Sequence, residues 1–325
     1  MPHACRIALF GECMIELRGQ MFGPMQQYFG GDTLNTAVYL ARLVKDSGIE
    51  VAYATQLGTD AYSQGMLQAW QQEGLDISLV ARAAGRMPGL YTIQVDEHGE
   101  RTFYYWRDSS AAKQYFEASI SPLEQQLEDL DALYFSGISL AVLDPPGRER
   151  LLACVARLRQ RGGRVYFDNN YRARLWTHGQ ADAQQWFDRA FDGCDLALIT
   201  LEDHQALYGI ADAQAAIDHA QALAPSEIVI KRGAEPTLVQ QADGRIFSVP
   251  IYKVDKVIDT TGAPVIGKHA RFHEITAHAY SNDVVVLWRA LDDSYWEFPT
   301  SCNELIRCNP NTGIGPKEVE LLRTW

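Results

Sequence analysis

The sequence predicts an α/β protein: a mostly parallel sheet flanked by helices, with a small β element standing outside it. Two observations carry the first part. Short apolar runs alternate with segments of helical period along most of the chain, and a polar cluster follows run after run. A third carries the second part. Two aromatic, β-rich runs, "LYTIQV" (90–95) and "RTFYYWR" (101–107), flank the turn-forming "DEHGE" and interrupt the alternation.

Arg6–Phe10 is an apolar run ending in "GE" and reads as the first strand; Cys13–Leu17 reads as a second. After "FGGD", the residues Leu34, Ala37, Val38 and Ala41 recur at helical spacing, and Asp32 is placed to cap that helix. "EVAYATQLG" (50–58) is a strand and 61–73 a helix. The hairpin 90–107 is a candidate lid or arm. From Asp131 the alternation resumes with the strand "ALYFSG", a helix over 145–161 and the strand "RVYFDNNYR". A helix over 181–192, the strand "LALIT" and a helix over 202–223 with a break near Gly209 follow. "EIVIKRG" is a strand, and "TLVQQADGRIFSVP" a hairpin turned at Asp243–Gly244. Beyond about 264 the text changes. "KHARFHEITAHAY" is His-rich, "NDVVVLWRALDDSYWEFP" reads as strand, turn, strand, and "CNPNTGIGPKE" is loop-like.

The chain has 325 residues, 47% of them hydrophobic and 22% charged, enough for one large α/β domain. No apolar run is long enough to cross a membrane, and "MPHACRIALFGE" is too short in its apolar stretch for a signal peptide, so a cytoplasmic location is expected. Six scattered cysteines then read as buried thiols. A formal net charge of −12 argues against a nucleic-acid footprint, though not against a local site for a small anion.

In a parallel sheet, ligands sit beyond the carboxyl ends of the strands. The clusters "GGDTLN", "DNNYR", "TLED", "KRG" and "DTTGA" fall there. "GGDTLN" (30–35) is either a plain turn with an N-cap or a close-approach loop whose Asp32 and Asn35 meet hydroxyl groups. "FYYWR" (103–107) is either a packed hairpin face or, through Arg107, a carboxylate site. Arg172 in "DNNYR" suits a substrate carboxylate or a nucleotide phosphate, and "KRG" (231–233) a wall of a nucleotide site or a solvated turn. His269, His273, His278 and Glu274 lack the zincin order, and Cys302 and Cys308 lack a usual zinc spacing.

No single cluster decides the function, but their order does. "GECMIEL", "FGGDTLNTAVYLAR", "LGTDAYSQGML", "PGLYTIQVDEHGERTFYYWR", "SGISLAVL", "FDNNYRARLW", "IVIKRGA" and "VIDTTGA" span about 1–263. Over that range the chain resembles the PfkB/ribokinase family of carbohydrate kinases, and within it the 2-keto-3-deoxygluconate kinases. The resemblance implies a ribokinase-like α/β core with a β lid drawn from about 13–29 and 87–108. It implies ATP-dependent phosphorylation of 2-keto-3-deoxygluconate to 2-keto-3-deoxy-6-phosphogluconate, with Mg²⁺. It implies a small sugar acid and ATP as partners, no nucleic acid and no membrane, and it allows a homo-oligomer. By position, Gly31, Asp32, Thr33, Leu34 and Asn35 would hold sugar hydroxyls. Tyr91, Tyr105, Trp106 and Arg107 would meet the substrate from the lid, and Arg172 its carboxylate or the neighbouring phosphate. Asn170, Tyr171, Arg172, Thr200, Lys231, Arg232, Gly233, Gly262 and Ala263 would line the nucleotide site. Asp203 would be tied indirectly to Mg²⁺ through its waters, with Thr200 where the family usually has asparagine.

The departure is as informative. The family continues its DTT stretch as Gly-Ala-Gly-Asp and opens a helix; the glycines form an anion hole and the aspartate accepts the proton of the attacking hydroxyl. Here Gly262 and Ala263 match, and Pro264 and Val265 follow. Proline donates no hydrogen bond and valine accepts no proton, so no catalytic residue is assigned. Residues 264–325 are an atypical segment in place of the usual catalytic-loop helices. An abrupt loss of resemblance points to a break or fusion at this junction. The alternatives are a non-catalytic sugar-acid and ATP-binding protein, a substitute base such as Asp283 or Glu274, and another PfkB-type sugar kinase.

Overall fold

The computed structural model describes residues 5–45, 47–95 and 101–250, with the backbone of 295–297 and 306–308. In chain order, β1 (Cys5–Phe10), β2 (Met14–Gly19) and β3 (Met25–Gly30) lead into α1 (Asp32–Leu43), β4 (Ile49–Leu57), α2 (Ala61–Gln72), β5 (Val80–Arg82), β6 (Gly89–Val95) and β7 (Arg101–Trp106). Next come α3 (Pro122–Gln125), β8 (Ala132–Ser136), α4 (Gly137–Val142), α5 (Pro145–Gln160), β9 (Arg164–Asp168), α6 (Gln180–Gly193) and β10 (Leu196–Thr200). The described core ends with α7 (Leu201–Tyr208), α8 (Ala213–Gln221), β11 (Glu227–Arg232), β12 (Glu235–Gln240) and β13 (Ile246–Val249). Further on, β14 (Tyr295–Glu297) pairs antiparallel with β15 (Ile306–Cys308).

Nine strands form the main sheet in the order β13-β12-β11-β10-β9-β8-β1-β4-β5. From β11 through β5 every pairing is parallel; β12 and β13 add an antiparallel edge. Strands buried on both faces read as continuous apolar runs, which explains "RIALF" and "LALIT". Alternation splits them between two layers. Ala8 and Phe10 join the core that includes Leu151, Phe187 and Ile217, while Ile7 and Leu9 join that of Leu34, Leu40 and Trp70.

The β element outside the main sheet is larger than a hairpin. β6 and β7 pair antiparallel, β6 runs parallel to β2, and β2 pairs antiparallel with β3, giving a separate sheet in the order β3-β2-β6-β7. One face gathers Met14, Tyr91 and Ile93 with Phe103 and Tyr105.

One capping expectation is corrected. Asp60, Asp144 and Asp212 cap α2, α5 and α8, accepting from the backbone N–H groups of Ser63, Gly147 and Ala215. Asp32 does not cap α1; Gly31 occupies the cap position and Asp32 is the first helical residue. Its carboxylate is engaged across the sheet, as described below. β5 was not anticipated, because three residues are too few for period-two alternation to register.

Where α7 meets α8, His204 is fully buried, and its Nε2 lies 2.9 Å from Nδ1 of His219. Its own Nδ1 has no hydrogen-bond partner among the described residues. Burial, then the neighbouring His219, push the imidazole down from 6.5 to about 4. Below 6.5 the unfolded chain binds a proton that the folded chain refuses until about 4. This contribution to stability is therefore present above 6.5 and lost progressively as pH falls from 6.5 to about 4. We expect about 2 kcal/mol less stability at pH 5 than at pH 7 from this group. Urea unfolding of the wild type and His204→Phe at both pH values checks it; equal losses in the two proteins would assign the effect elsewhere.

Candidate active site

The carboxyl ends of β1, β8, β9, β10 and β11 lie side by side and carry the polar clusters together. At β1 the chain passes through Gly11 and Glu12 and returns from the small sheet through Gly31. A Cβ on Gly31 would lie 2.1 Å from the carbonyl oxygen of Glu12, so only glycine permits this approach. The first turn of α1 therefore starts beside the strand end. Thr33 and Leu34 point into the core: Thr33 Oγ1 lies 3.2 Å from the Tyr53 hydroxyl, and Leu34 packs in the apolar layer. Only their backbone is left for a ligand. Gly31, Asp32 and Asn35 are partly exposed.

Asp32 is the hub of a network joining three elements. Its Oδ2 accepts from Ser136 Oγ at 2.6 Å and from Asn170 Nδ2 at 2.8 Å. Asn170 takes a positive φ of 20°, and its N–H donates to Asp168 Oδ1 at 3.2 Å. Asp168 in turn pairs with the buried Lys231 ammonium at 3.3 Å and accepts from the Tyr134 hydroxyl at 3.4 Å. Asn169 acts as a staple. Its Nδ2 donates to the Thr200 carbonyl at 3.0 Å and its Oδ1 accepts the Thr200 N–H at 2.9 Å, locking the ends of β9 and β10.

Arg172 donates to both oxygens of Asp203 at 3.0 Å. Burial raises the Asp203 carboxyl above its ordinary range, opposed by the charges of Arg172 and Lys231. Tyr171 buries its ring against Phe187, and Arg232 donates through Nε to the Pro236 carbonyl at 2.7 Å. Gly233 turns from β11 into β12 with φ 58°.

From the small sheet, Tyr91 and Tyr105 stack with centroids 5.6 Å apart. The Tyr91 hydroxyl donates to Glu16, and burial, then that carboxylate, push its pKa up, so it stays a neutral donor. Arg107 is buried and forms an ion pair with Glu12, itself buried. Trp106 lies apart. Strand alternation turns it to the opposite face from Tyr105, where it is 61% exposed. Gly262, Ala263 and Val265 lie outside the described residues.

Sequence reading passed over Glu12 and Ser136, and reached Asn169 only as a member of the polar cluster after β9. Glu12 and Ser136 carry a signal, since Ser136 ends a buried strand and Glu12 stands two residues past the end of another. Asn169 carries none beyond its place in "DNNYR". Among the described residues no group of three or more His, Cys, Asp or Glu is arranged to hold a metal, and no helix is long and apolar enough to cross a membrane. Mg²⁺ bound mainly by phosphates and waters needs only one or two carboxylates; Asp203 and Asp168 stand at this edge, each paired with a cation, Arg172 and Lys231.

The structure is thus an α/β protein with a ligand-type carboxyl edge: a parallel sheet, a second small sheet beside it, and basic and hydroxyl groups gathered at that edge. The chain belongs to the pfkB family carbohydrate kinases, whose sequence pattern matches residues 5–263. It is 46% identical over 261 residues to the 2-dehydro-3-deoxygluconokinase of Escherichia coli strain K12, covering 79% of this chain and 84% of that one. The Dickeya dadantii protein of the same name is 44% identical over 261 residues, at 79% and 83% coverage. Among solved structures, a PfkB protein from Polaromonas sp. JS666 superposes with a TM-score of 0.67 at 26% identity, over 77% of this chain and 84% of that one. Aminoimidazole riboside kinase from Salmonella enterica, solved with aminoimidazole riboside and an ATP analog, gives 0.64 at 25% identity, over 79% and 80%. The parallel core, the helices and the smaller sheet are the ribokinase-like architecture that the motif order implied.

Proposed function

We propose that the chain descends from a 2-keto-3-deoxygluconate kinase, binds that sugar acid beneath the small sheet, and binds Mg-ATP at the ends of β9, β10 and β11. The observation that carries this is the 46% identity over 261 residues to a 2-dehydro-3-deoxygluconokinase, a synonym for the same activity. The site is consistent in chemistry. Gly31, Asp32 and Asn35 offer backbone and side-chain groups to hydroxyls. Tyr91, Tyr105 and Arg107 face the acid from the small sheet. Asn170, Arg172, Thr200, Lys231 and Gly233 border the nucleotide, with Asp203 toward Mg²⁺, which would neutralise phosphate charge when bound. Closing the small sheet excludes water and so limits wasteful ATP hydrolysis. We assign residues 1–263 to the kinase domain and 264–325 to an atypical segment.

A second reading is favoured by one observation. The family match ends at residue 263, and Pro264 and Val265 stand where the family supplies a donor and a base. The chain would then bind both ligands without transfer. Calorimetric titration tests the binding common to both readings. Sugar acid and Mg-ATP should each bind. Arg107→Ala should weaken the acid by roughly tenfold or more and ATP much less. Equal losses would remove Arg107 from the acid site, and no binding of either ligand would overturn the assignment.

A further inference from the structure

We propose that Arg174, a residue without an assigned role, supplies the charge that selects an acid over a neutral sugar. The inference rests on the sugar-acid reading above. Two guanidinium groups lie by the Tyr105 ring, those of Arg107 and Arg174, and the first is already neutralised. Arg107 is paired with the buried Glu12, and Arg172 with Asp203. Arg174 has no carboxylate or hydrogen-bond partner among the described residues; its guanidinium carbon lies 4.1 Å from the centre of the Tyr105 ring.

The arrangement has a physical logic. An arginine stacked on an aromatic ring keeps its edge N–H donors free while its faces are covered. Arg174 comes from the turn after β9 in the main body, and Tyr105 from β7 in the small sheet. The stack therefore spans the two sheets where a ligand between them would lie. Arg107 lies by the same ring, 5.9 Å from its centre. A carboxylate drawn to Arg107 meets a pair with no net charge. One drawn to Arg174 meets an uncompensated cation whose planar fork can donate to both carboxylate oxygens. Arg107 then orients the acid, and Arg174 discriminates by charge.

The test compares Kd for 2-keto-3-deoxygluconate, its neutral methyl ester and Mg-ATP, by calorimetry, in wild type and Arg174→Gln. The wild type should prefer acid over ester. Arg174→Gln should lose about tenfold for the acid, while ester and ATP stay within twofold. Arg174→Lys, which keeps charge without the fork, should fall between. Preference for the acid retained in Arg174→Gln would overturn the inference, as would equal losses for acid and ester, which would make Arg174 a packing residue. A wild type that prefers neither form would overturn the sugar-acid reading itself. Arg174 is exposed, so the substitution should leave the thermal melt unchanged.

Discussion

Given Mg-ATP and 2-keto-3-deoxygluconate, the chain is expected to release ADP at least ~10²–10⁴-fold more slowly than the E. coli relative. That range is what loss of a general base alone removes. Val265 cannot take the proton of the attacking hydroxyl, and Pro264 cannot contribute an N–H to an anion hole. Stabilisation of the transferring group by oriented N–H donors is commonly the larger effect in such reactions. The loss should therefore resist simple repair. Pro264→Gly with Val265→Asp restores two residues, but nothing after 263 matches the family, so the double variant should stay within tenfold of the starting rate. Coupled detection of ADP measures both. A wild-type rate near that of the relative would mean that the later segment supplies a base and donors of its own. Full recovery in the double variant would confine the damage to those two positions.

Most of the parallel sheet was legible because its central strands are buried on both faces, and β4, β8, β9 and β10 are each followed by helical segments. The small sheet was half legible. "LYTIQV" and "RTFYYWR" announce a hairpin, but the parallel pairing of β6 with β2 joins residues far apart in sequence, which local pattern does not encode. The same limit applies at the site. Motif order places Asp32, Asn170, Asp203 and Lys231 at one sheet edge, yet the partners are tertiary. Asp32 looked like a cap, because aspartate before a helical run ordinarily is one. It serves Ser136 and Asn170 instead, which stand 104 and 138 residues away. Likewise Arg107 beside aromatics suggested an acid site, while its neutraliser Glu12 lies on a different segment. The alternation that separates Trp106 from Tyr105 was available in the sequence; the period of two assigns neighbouring residues to opposite faces.

Phe167→Ala should destabilise the protein by about 3–5 kcal/mol. Phe167 is fully buried near the carboxyl end of β9, with ring centroids of Phe135 at 4.9 Å, Phe191 at 5.1 Å and Phe187 at 5.6 Å. The last two are edge-on contacts, which favour the aromatic quadrupole beyond the area they bury. Alanine leaves a cavity that rigid rings on three sides cannot collapse to fill. Leucine retains most of the volume and should cost about 1–2 kcal/mol, the difference measuring what the ring geometry adds. The effect should also reach the ligand edge. Phe167 directly precedes Asp168 and Asn169, which hold Lys231 and the end of β10. Mg-ATP affinity should therefore fall in the alanine variant and hold in the leucine variant, both measured well below their unfolding temperatures. Urea unfolding gives the stabilities. Equal midpoints for alanine and leucine would show that the neighbouring rings close the gap, and that the edge of the sheet does not depend on this packing.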